Sequence, residues 1–491
     1  MDYDQALDGL AARGPGRMVP DLARITRLAE LLGDPQLAYP SVHVTGTNGK
    51  TSVVRMSATL LSAVGLSAGT YTSPHLQTVR ERFAVTGRWI GEQSLAEVYD
   101  QVLPIAELVD AGSDDDVTYF ELLTAMAFWW FADKPVDIGV FEVGMGGTWD
   151  ATNLVRGDVA VITPIDLDHR ELGDSPVAVA TEKAGIIKPG AHVVTGRQRD
   201  DVQAVLDARA DEVGATVRRW GVDHEVVDRR VAVGGQYLHL RVGDRSVDEI
   251  FLPLHGAHQA DNACLALAAL AGVLGDRFGE LDDDLIRSGL AAVSAPGRLE
   301  IVHRDPTVIL DGAHNPHGAR TAVAALGEAF EFRNLVVVLA CLADKDLAGI
   351  VDAYRDVANH VVITAPDSPR AAPATELHAV AVAAFEGSGV VVELADDVAS
   401  ALMLATGVAG EGDGVLVTGS LYTVGAARDV YLPVVDDGDE VVREPEDMTE
   451  EEEEDEFQRA IDAMIERVDT EVAGRVDTEV AERVDGEAAE D

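Results

Sequence analysis

Apolar runs of two lengths alternate along the first two hundred residues. Short runs over residues 42–44, 136–141 and 159–162 have the length of buried strands, and longer periodic segments over 120–131 and 177–187 have the length of helices. Strands that alternate with helices are typical of βαβ units, in which the strands lie parallel. The pattern therefore predicts a mostly parallel sheet covered by helices.

The pattern changes after residue 223. Residues 224–254 form short alternating runs broken by Gly234-Gly235 and Gly243-Asp244, which indicates antiparallel strands. An amphipathic helix is predicted over 260–274, with Asp261 or Asn262 as a possible cap, and residues 294–297 read as a hinge. Further strands separated by helix-sized segments are then predicted over 308–310, 335–339, 361–363, 390–392 and 415–417.

These changes divide the chain. We expect a first domain over residues 1–295, a second α/β domain over 296–435 and an acidic tail over 436–491. The tail contains 25 acidic and 5 basic residues and a decaying eight-residue near-repeat that begins at Arg467. Three short copies are too few for a solenoid. We interpret the tail as solvated and partly helical or disordered, with an acidic interaction segment as the alternative.

Charge narrows the classes of partner and compartment. The formal net charge is −48, and with −20 in the tail the preceding residues carry −28. A body this acidic, with five lysines in all, indicates a halophilic protein and argues against nucleic acid as a partner. Two cysteines, no signal-peptide pattern and no apolar run long enough for a bilayer predict a cytoplasmic protein without membrane contact.

A glycine-rich turn follows the first predicted strand and precedes a helix-like segment. In this arrangement backbone N–H groups and the helix N-terminus face an anion, Lys50 reaches the outer phosphates, and Thr51 or Ser52 reaches Mg²⁺. Val44 stands where the strict pattern has glycine, so the match is partial. The loop predicts a nucleotide-phosphate site formed by Gly46, Thr47, Asn48, Gly49, Lys50, Thr51 and Ser52.

Other polar residues follow predicted strands or end predicted helices. Glu142 comes directly after the strand over 136–141, where open α/β sheets bind ligand and metal; the alternative is a surface carboxylate. Ser73 offers a hydroxyl to Mg²⁺ or is a turn residue, and His169 alone is more often structural. Lys183 lies among apolar neighbours, which disfavour an ammonium; a helix-end cation is the alternative.

Polar clusters also follow three predicted strands of the second segment. They begin at Asp311, Asp344 and Thr418, and Arg298 lies at the presumed domain junction. Because parallel strands end at the same edge of a sheet, these clusters are expected to converge on one site.

Taken together, these motifs resemble the folylpolyglutamate synthase/dihydrofolate synthase family, a branch of the Mur ligases. The resemblance runs from about residue 41 to about residue 429. It rests on GTNGK, YTSPHL, ERF, FE, EVGMGG with DATN, LDH, EKAGIIKPG, GAHQADNA, PGRLE, DGAHNP, DKD and TGSLY, in the family's order.

The resemblance implies an α/β fold: an N-terminal P-loop parallel-sheet ATPase domain with a small antiparallel subregion and folate-binding loops, and a C-terminal Rossmann-like domain. It also implies an ATP-dependent ligase that adds L-glutamate to a folate or dihydropteroate carboxylate through an acyl phosphate. The cofactors would be ATP, two Mg²⁺ ions and a monovalent cation such as K⁺, and the enzyme would be a monomer.

The resemblance also implies roles for individual residues. Ser73 and Glu142 would bind one Mg²⁺, and Glu142 and His169 would serve a second. Lys183 would be carbamylated near the metal. The residues with catalytic roles would be Lys50, Lys183 and His314, and those on the nucleotide side would be Asn262, Arg298, Asp311 and His314.

Two departures from the family pattern concern the acceptor substrate more than the reaction. Thr51 stands where folate-branch members usually have glycine, and Thr148-Trp149 replaces the usual Arg-Leu before DATN. Two alternatives therefore remain: a Mur-type ligase with a different carboxylate acceptor, and a nucleotide-binding switch without ligase chemistry.

Overall fold

The structure is a computed structural model that describes residues 1–14, 20–167 and 170–434. Its helices are α1 (Tyr3–Ala12), α2 (Ala23–Leu31), α3 (Lys50–Ala63), α4 (Glu92–Asp110), α5 (Tyr119–Asp133), α6 (Pro176–Lys183), α7 (Asp200–Val213), α8 (Ala257–Leu274), α9 (Asp283–Ala291), α10 (Pro316–Ala329), α11 (Leu347–Ala353), α12 (Ala374–Ala384), α13 (Val398–Val408) and α14 (Leu421–Tyr431).

The strands are β1 (Ser41–Thr45), β2 (Ala68–Tyr71), β3 (Phe83–Val85), β4 (Arg88–Trp89), β5 (Ile138–Glu142), β6 (Val159–Ile162), β7 (His192–Thr195), β8 (Thr216–Arg219), β9 (His224–Ala232), β10 (Gly235–Val242), β11 (Arg245–Leu252), β12 (Arg298–Arg304), β13 (Thr307–Asp311), β14 (Leu335–Leu339), β15 (His360–Ile363), β16 (Val391–Leu394) and β17 (Gly414–Thr418). They form an eight-stranded, a six-stranded and a three-stranded sheet within the described residues.

The eight-stranded sheet, here the N-terminal sheet, has the order β4-β3-β2-β5-β1-β6-β7-β8. Its strand pairs are parallel except for β2–β3 and β3–β4 at one edge, which are antiparallel. In the centre, β1 pairs with β5 and Val44 lies opposite Glu142. This register brings the residues after β1 and the end of β5 side by side at the carboxyl edge of the sheet.

Helices cover both faces of this sheet, and every residue of its central strands β1, β5 and β6 is buried. On one face α3 and α8 pack against each other, and the antiparallel sheet of β9, β10 and β11 extends that layer. On the other face α4 and α5 pack with α1 and α2. Helix α5 begins with a capping box, in which Thr118 accepts from the Glu121 amide and Glu121 accepts from the Thr118 amide.

The six-stranded sheet, here the C-terminal sheet, has the order β12-β13-β17-β14-β15-β16. Its strands are parallel except β12, which pairs antiparallel with β13. Helices α10, α11 and α12 pack on one face and α13 and α14 on the other. The two parallel-rich sheets confirm the mixed α/β fold expected from the alternating pattern.

Some local predictions differ from the structure. The helix predicted over 177–187 ends at Lys183, and a short 3₁₀ turn, Ala184–Ile186, follows it. Helix α8 begins before the predicted cap residues, with Gly256 as its N-cap, so Asp261 and Asn262 lie inside the helix. No helix in the described residues is both long and apolar enough to cross a membrane.

Candidate active site

A cavity of about 580 Å³ lies between the carboxyl edges of the two larger sheets. The N-terminal sheet contributes the loops after β1, β2, β5, β6 and β7, and the C-terminal sheet contributes the residues after β13 and the start of α14. Open α/β sheets bind ligands in this position, because their loops converge there.

The loop between β1 and α3 has the backbone geometry of a phosphate cradle. Gly49 is the N-cap of α3 with φ 88°, and a Cβ atom there would lie 2.6 Å from Asn262 Oδ1, so a larger residue would clash. Lys50 begins the helix, and its Nζ donates to the carbonyls of Gly46 (3.1 Å) and Thr47 (3.2 Å). The lysine thus curls over the loop and lines the cavity, where an anion would meet both its charge and the helix N-terminus.

Glu142 lies beside this loop and is 2% exposed. Thr51 Oγ1 donates to its two carboxylate oxygens at 2.8 and 3.0 Å, and the Ser73 amide donates to Oε2 at 3.2 Å. Burial raises the pKa of Glu142, while the Lys50 charge and the Thr51 hydrogen bond oppose that rise. The structure therefore brings together the predicted carboxylate, the serine and the phosphate loop.

These oxygen donors fit Mg²⁺. The ion is usually held by one or two protein carboxylates, with phosphates and water completing the shell. Glu142 and Ser73 both line the cavity and supply carboxylate and hydroxyl oxygens. The described residues contain no group of three or more His, Cys, Asp or Glu side chains placed to hold a metal, and His169 lies outside the described residues.

Lys183 ends α6 and reaches the same loop. Its side chain is 1% exposed, and Nζ donates to the Gly46 carbonyl at 2.8 Å. Gly147, in the loop after β5, lets the end of α6 pack closely against that loop. A Cβ at this position would lie 2.8 Å from the Glu182 carbonyl and 2.9 Å from that of Lys183. Lys50 and Lys183 therefore share the Gly46 carbonyl as a hydrogen-bond acceptor.

The predicted nucleotide-side residues also line the cavity. Asp311 ends β13 and accepts from the amides of Leu299 (3.1 Å) and Ala313 (3.0 Å), so it ties β12 to the loop after β13. Burial raises its pKa, and Arg298 opposes the rise. Asn262 Nδ2 donates to Gln259 Oε1 at 3.0 Å, one turn earlier on α8.

His314 lies in the loop between β13 and α10. Its Nδ1 is 2.9 Å from the Gly312 carbonyl, so Nδ1 carries the proton in the neutral ring and Nε2 is left as an acceptor. Burial lowers the pKa of His314 to about 4, and Lys345, Arg298 and Lys50 lower it further against the Gly312 hydrogen bond. The ring is therefore neutral near pH 7.

Of the three polar clusters that follow strands of the C-terminal sheet, two line the cavity and one does not. Those that begin at Asp311 and Thr418 contribute cavity-lining residues, and the cluster of Asp344 and Lys345 does not. Lys345 instead pairs with Asp344 at 3.0 Å and acts on His314 through its charge.

Sequence reasoning missed a buried polar chain beneath the loop after β5. Asp150 accepts from the Met145 amide at 2.8 Å and from Thr152 Oγ1 at 2.5 Å. Thr152 Oγ1 also contacts His43 Nε2 at 2.8 Å. The DATN segment could have predicted this chain, because polar side chains that are buried after a glycine-rich loop must form hydrogen bonds with one another or with the backbone.

Comparison with known proteins agrees with this arrangement of sheets and cleft. Residues 44–270 match the Mur ligase middle domain, and residues 297–421 match the Mur ligase, glutamate ligase domain. The chain therefore belongs to the Mur ligases.

Individual relatives narrow the family. The dihydrofolate synthase/folylpolyglutamate synthase of Mycobacterium tuberculosis is 44% identical over 84% of this chain and 91% of its own length. The folylpolyglutamate synthase of Lacticaseibacillus casei is 34% identical over 84% of this chain and 94% of its own. The structure of Mycobacterium tuberculosis folylpolyglutamate synthase complexed with ADP has a TM-score of 0.82 and 42% identity, covering 87% of this chain and 98% of that one. The chain is a member of the dihydrofolate synthase/folylpolyglutamate synthase family.

Proposed function

We propose that this protein is an ATP-dependent ligase that joins the amine of L-glutamate to a carboxylate of a folate or dihydropteroate. The observation that supports this most is that one cavity contains the phosphate loop, Glu142, Lys183 and the polar residues after β13. The names of the relatives, which include both dihydrofolate synthase and folylpolyglutamate synthase, support the reaction and the class of acceptor.

In the proposed reaction the acceptor carboxylate attacks the γ-phosphorus of ATP and ADP leaves. The glutamate amine then attacks the acyl phosphate, phosphate leaves, and the nitrogen loses its proton. Phosphoryl transfer needs positioning and charge neutralisation more than covalent help. Lys50 and the amides at the start of α3 would neutralise the outer phosphates, and Arg298 would act from the C-terminal sheet.

The cavity is bounded by both sheets, so bound substrates would be surrounded from two sides. This matters because an acyl phosphate is lost to water unless water is excluded. We infer that the two sheets approach each other around the substrates, as is common where catalytic groups come from two domains. The neutral His314, with Nε2 as an acceptor, would then be available at the C-terminal side of the cavity.

The metal and the modified lysine belong to this proposal. Ser73 and Glu142 would hold one Mg²⁺, and Glu142 with His169 would serve a second; bound there, the ions would neutralise charge on the phosphates. Lys183 would be carbamylated, because an ammonium beside Mg²⁺ is repelled by the like charge, whereas a carbamate anion is attracted. A monovalent cation such as K⁺ is the further cofactor that we propose.

The remaining assignments follow from charge and organisation. We propose a monomeric, cytoplasmic and halophilic enzyme that acts on small molecules and does not bind nucleic acid or membranes. Domains over residues 1–295 and 296–435 would form the ligase, and residues 436–491 would be an acidic tail outside it.

ADP release tests the proposal and its acceptor together. The full chain would be assayed at molar KCl with dihydropteroate, dihydrofolate or tetrahydrofolate, each with and without L-glutamate. We expect release that requires both glutamate and at least one of these acceptors. Release without an acceptor would indicate a nucleotide switch, and release only with an unrelated carboxylate would indicate another Mur-type ligase.

Lys50→Ala is the matched variant for this assay. It should remain folded and lose about 100- to 1000-fold in turnover, the usual loss when one group that stabilises developing charge is removed. Near-normal ADP release by Lys50→Ala would exclude the phosphate loop from the reaction.

A further inference from the structure

The hydroxyl of Thr51 is directed at Glu142. Thr51 is the second residue of α3, and the pairing of β1 with β5 places the start of this helix beside the end of β5. Its Oγ1 lies 2.8 Å from one carboxylate oxygen and 3.0 Å from the other, so its proton is shared between them. This contact fixes the plane of the carboxylate relative to the phosphate loop.

Glu142 has little other support in that orientation. The Ser73 amide donates to Oε2 at a longer 3.2 Å, and the side chain is 2% exposed. A carboxylate offers about four lone-pair positions, and these two donors do not fill them all. The remaining positions are available to a ligand in the cavity that both Thr51 and Glu142 line.

We propose that Thr51 is a positioning residue that holds Glu142 in the orientation in which it binds Mg²⁺, and that its hydroxyl thereby sets the metal affinity of the nucleotide complex. The inference rests on the proposed function only through the metal site at Glu142. Groups that orient a metal ligand commonly change metal affinity by about 10- to 100-fold when removed. The hydroxyl at position 51 therefore has a role that the glycine usual in the folate branch does not supply.

Binding of Mn²⁺, measured by electron paramagnetic resonance on the full chain with saturating ADP, tests this without turnover. Thr51→Ser keeps the hydroxyl and should bind Mn²⁺ within about twofold of the wild type. Thr51→Val keeps the shape and removes the hydroxyl, and should bind Mn²⁺ about 10-fold more weakly. Unchanged Mn²⁺ affinity in Thr51→Val would overturn the proposal.

Two controls separate positioning from other roles. ADP affinity in EDTA should be the same for the wild type and Thr51→Val; an equal loss there would show that the hydroxyl shapes the loop instead. In a Glu142→Asp background the carboxylate is one methylene shorter and should be out of hydrogen-bond reach of the hydroxyl. There, Thr51→Val should weaken Mn²⁺ binding by less than about twofold. A full additional loss would mean that Thr51 binds metal directly and would overturn positioning through Glu142.

Steady-state kinetics give an independent readout if the enzyme is a ligase. Thr51→Val should raise the KM for Mg²⁺ and keep most of kcat at saturating Mg²⁺, whereas a loss of kcat alone would contradict the proposal. If no ligase activity is found for any variant, the Mn²⁺ measurements still decide the role of Thr51. Failure of the proposed function and failure of this inference are therefore distinguishable.

Discussion

Asn315 Nδ2 donates to Asn48 Oδ1 at 3.2 Å and so links the C-terminal sheet to the phosphate loop. On the same side, Asn48 Nδ2 lies 3.3 Å from His317 Nδ1. Asn315 is also the N-cap of α10, where its Oδ1 accepts from the Gly318 amide at 2.7 Å. One side chain therefore starts a helix and holds the two halves of the cleft together.

Asn315→Asp separates these two roles. Aspartate caps a helix about as well as asparagine, so the melting temperature without nucleotide should change little. The variant has no amide donor for Asn48 and adds a negative charge beside the phosphate loop, so the KM for ATP should rise about 10-fold. An unchanged KM for ATP in the folded variant would show that this contact does not contribute to nucleotide binding.

Lys183→Arg should be inactive, although it keeps a positive charge. Lys183 is 1% exposed and its Nζ contacts the Gly46 carbonyl at 2.8 Å, so the larger guanidinium does not fit and cannot be carbamylated. Lys183→Ala should recover part of its activity with added acetate, because a short carboxylate can take the place of the carbamate. Initial rates of ADP release at several acetate concentrations check this.

The control for the lysine is chemical. Wild-type enzyme freed of CO₂ should lose activity and regain it with bicarbonate. Wild-type rates for Lys183→Arg would rule out the carbamate, although the ligase assignment would stand.

His43 should make stability fall on acidification. It is fully buried, and burial, with a smaller effect of the Lys188 charge, lowers its pKa from 6.5 to about 3. The unfolded chain therefore takes up a proton that the folded chain does not as the pH falls below 6.5, so stability rises with pH across this window. One such proton corresponds to about 1.4 kcal/mol per pH unit.

Urea unfolding of the wild type and His43→Gln at molar KCl, between pH 4.5 and 7.5, would measure this effect. Below pH 6.5, the slope of the unfolding free energy against pH should be smaller in His43→Gln by about 1.4 kcal/mol per pH unit, the contribution of one proton. Parallel curves for the two proteins would contradict the assignment of this slope to His43.

Deletion of residues 436–491 should leave turnover at molar KCl nearly unchanged. The tail has a net charge of −20 and the rest of the chain carries −28, so repulsion opposes docking. The measurement is kcat and KM for ATP before and after deletion. A large loss of kcat at high salt would show that the tail takes part in catalysis.

The sequence alone predicted the helices and strands that have strong hydrophobic periodicity. The predicted strand over 159–162 coincides with β6, and the segments over 224–254 form the antiparallel β9, β10 and β11. Edge strands such as β3 and β4 were not predicted, because a two- or three-residue strand has no measurable period. Helix α8 begins earlier than predicted. Its N-cap is Gly256, which makes no side-chain cap hydrogen bond and so leaves no capping signal in the sequence.

The site was predictable as a set of residues but not as a set of contacts. Glycines, Lys50, Glu142 and Asp311 follow strands, and parallel sheets bring such positions to one edge. That Thr51 donates to Glu142 depends on the strand order, in which β5 lies beside β1 although three helices and three strands lie between them in the chain. Long-range neighbours of this kind leave no local pattern in the sequence.

Transfer of heavy oxygen from the acceptor to phosphate is the most direct test of the proposed chemistry. The acceptor would be labelled with heavy oxygen in its carboxylate and incubated with ATP and L-glutamate at molar KCl, and the phosphate would be analysed by mass spectrometry. An acyl-phosphate ligase must transfer one labelled oxygen to phosphate for each amide formed. Amide formation with unlabelled phosphate, or phosphate release without amide, would contradict the account.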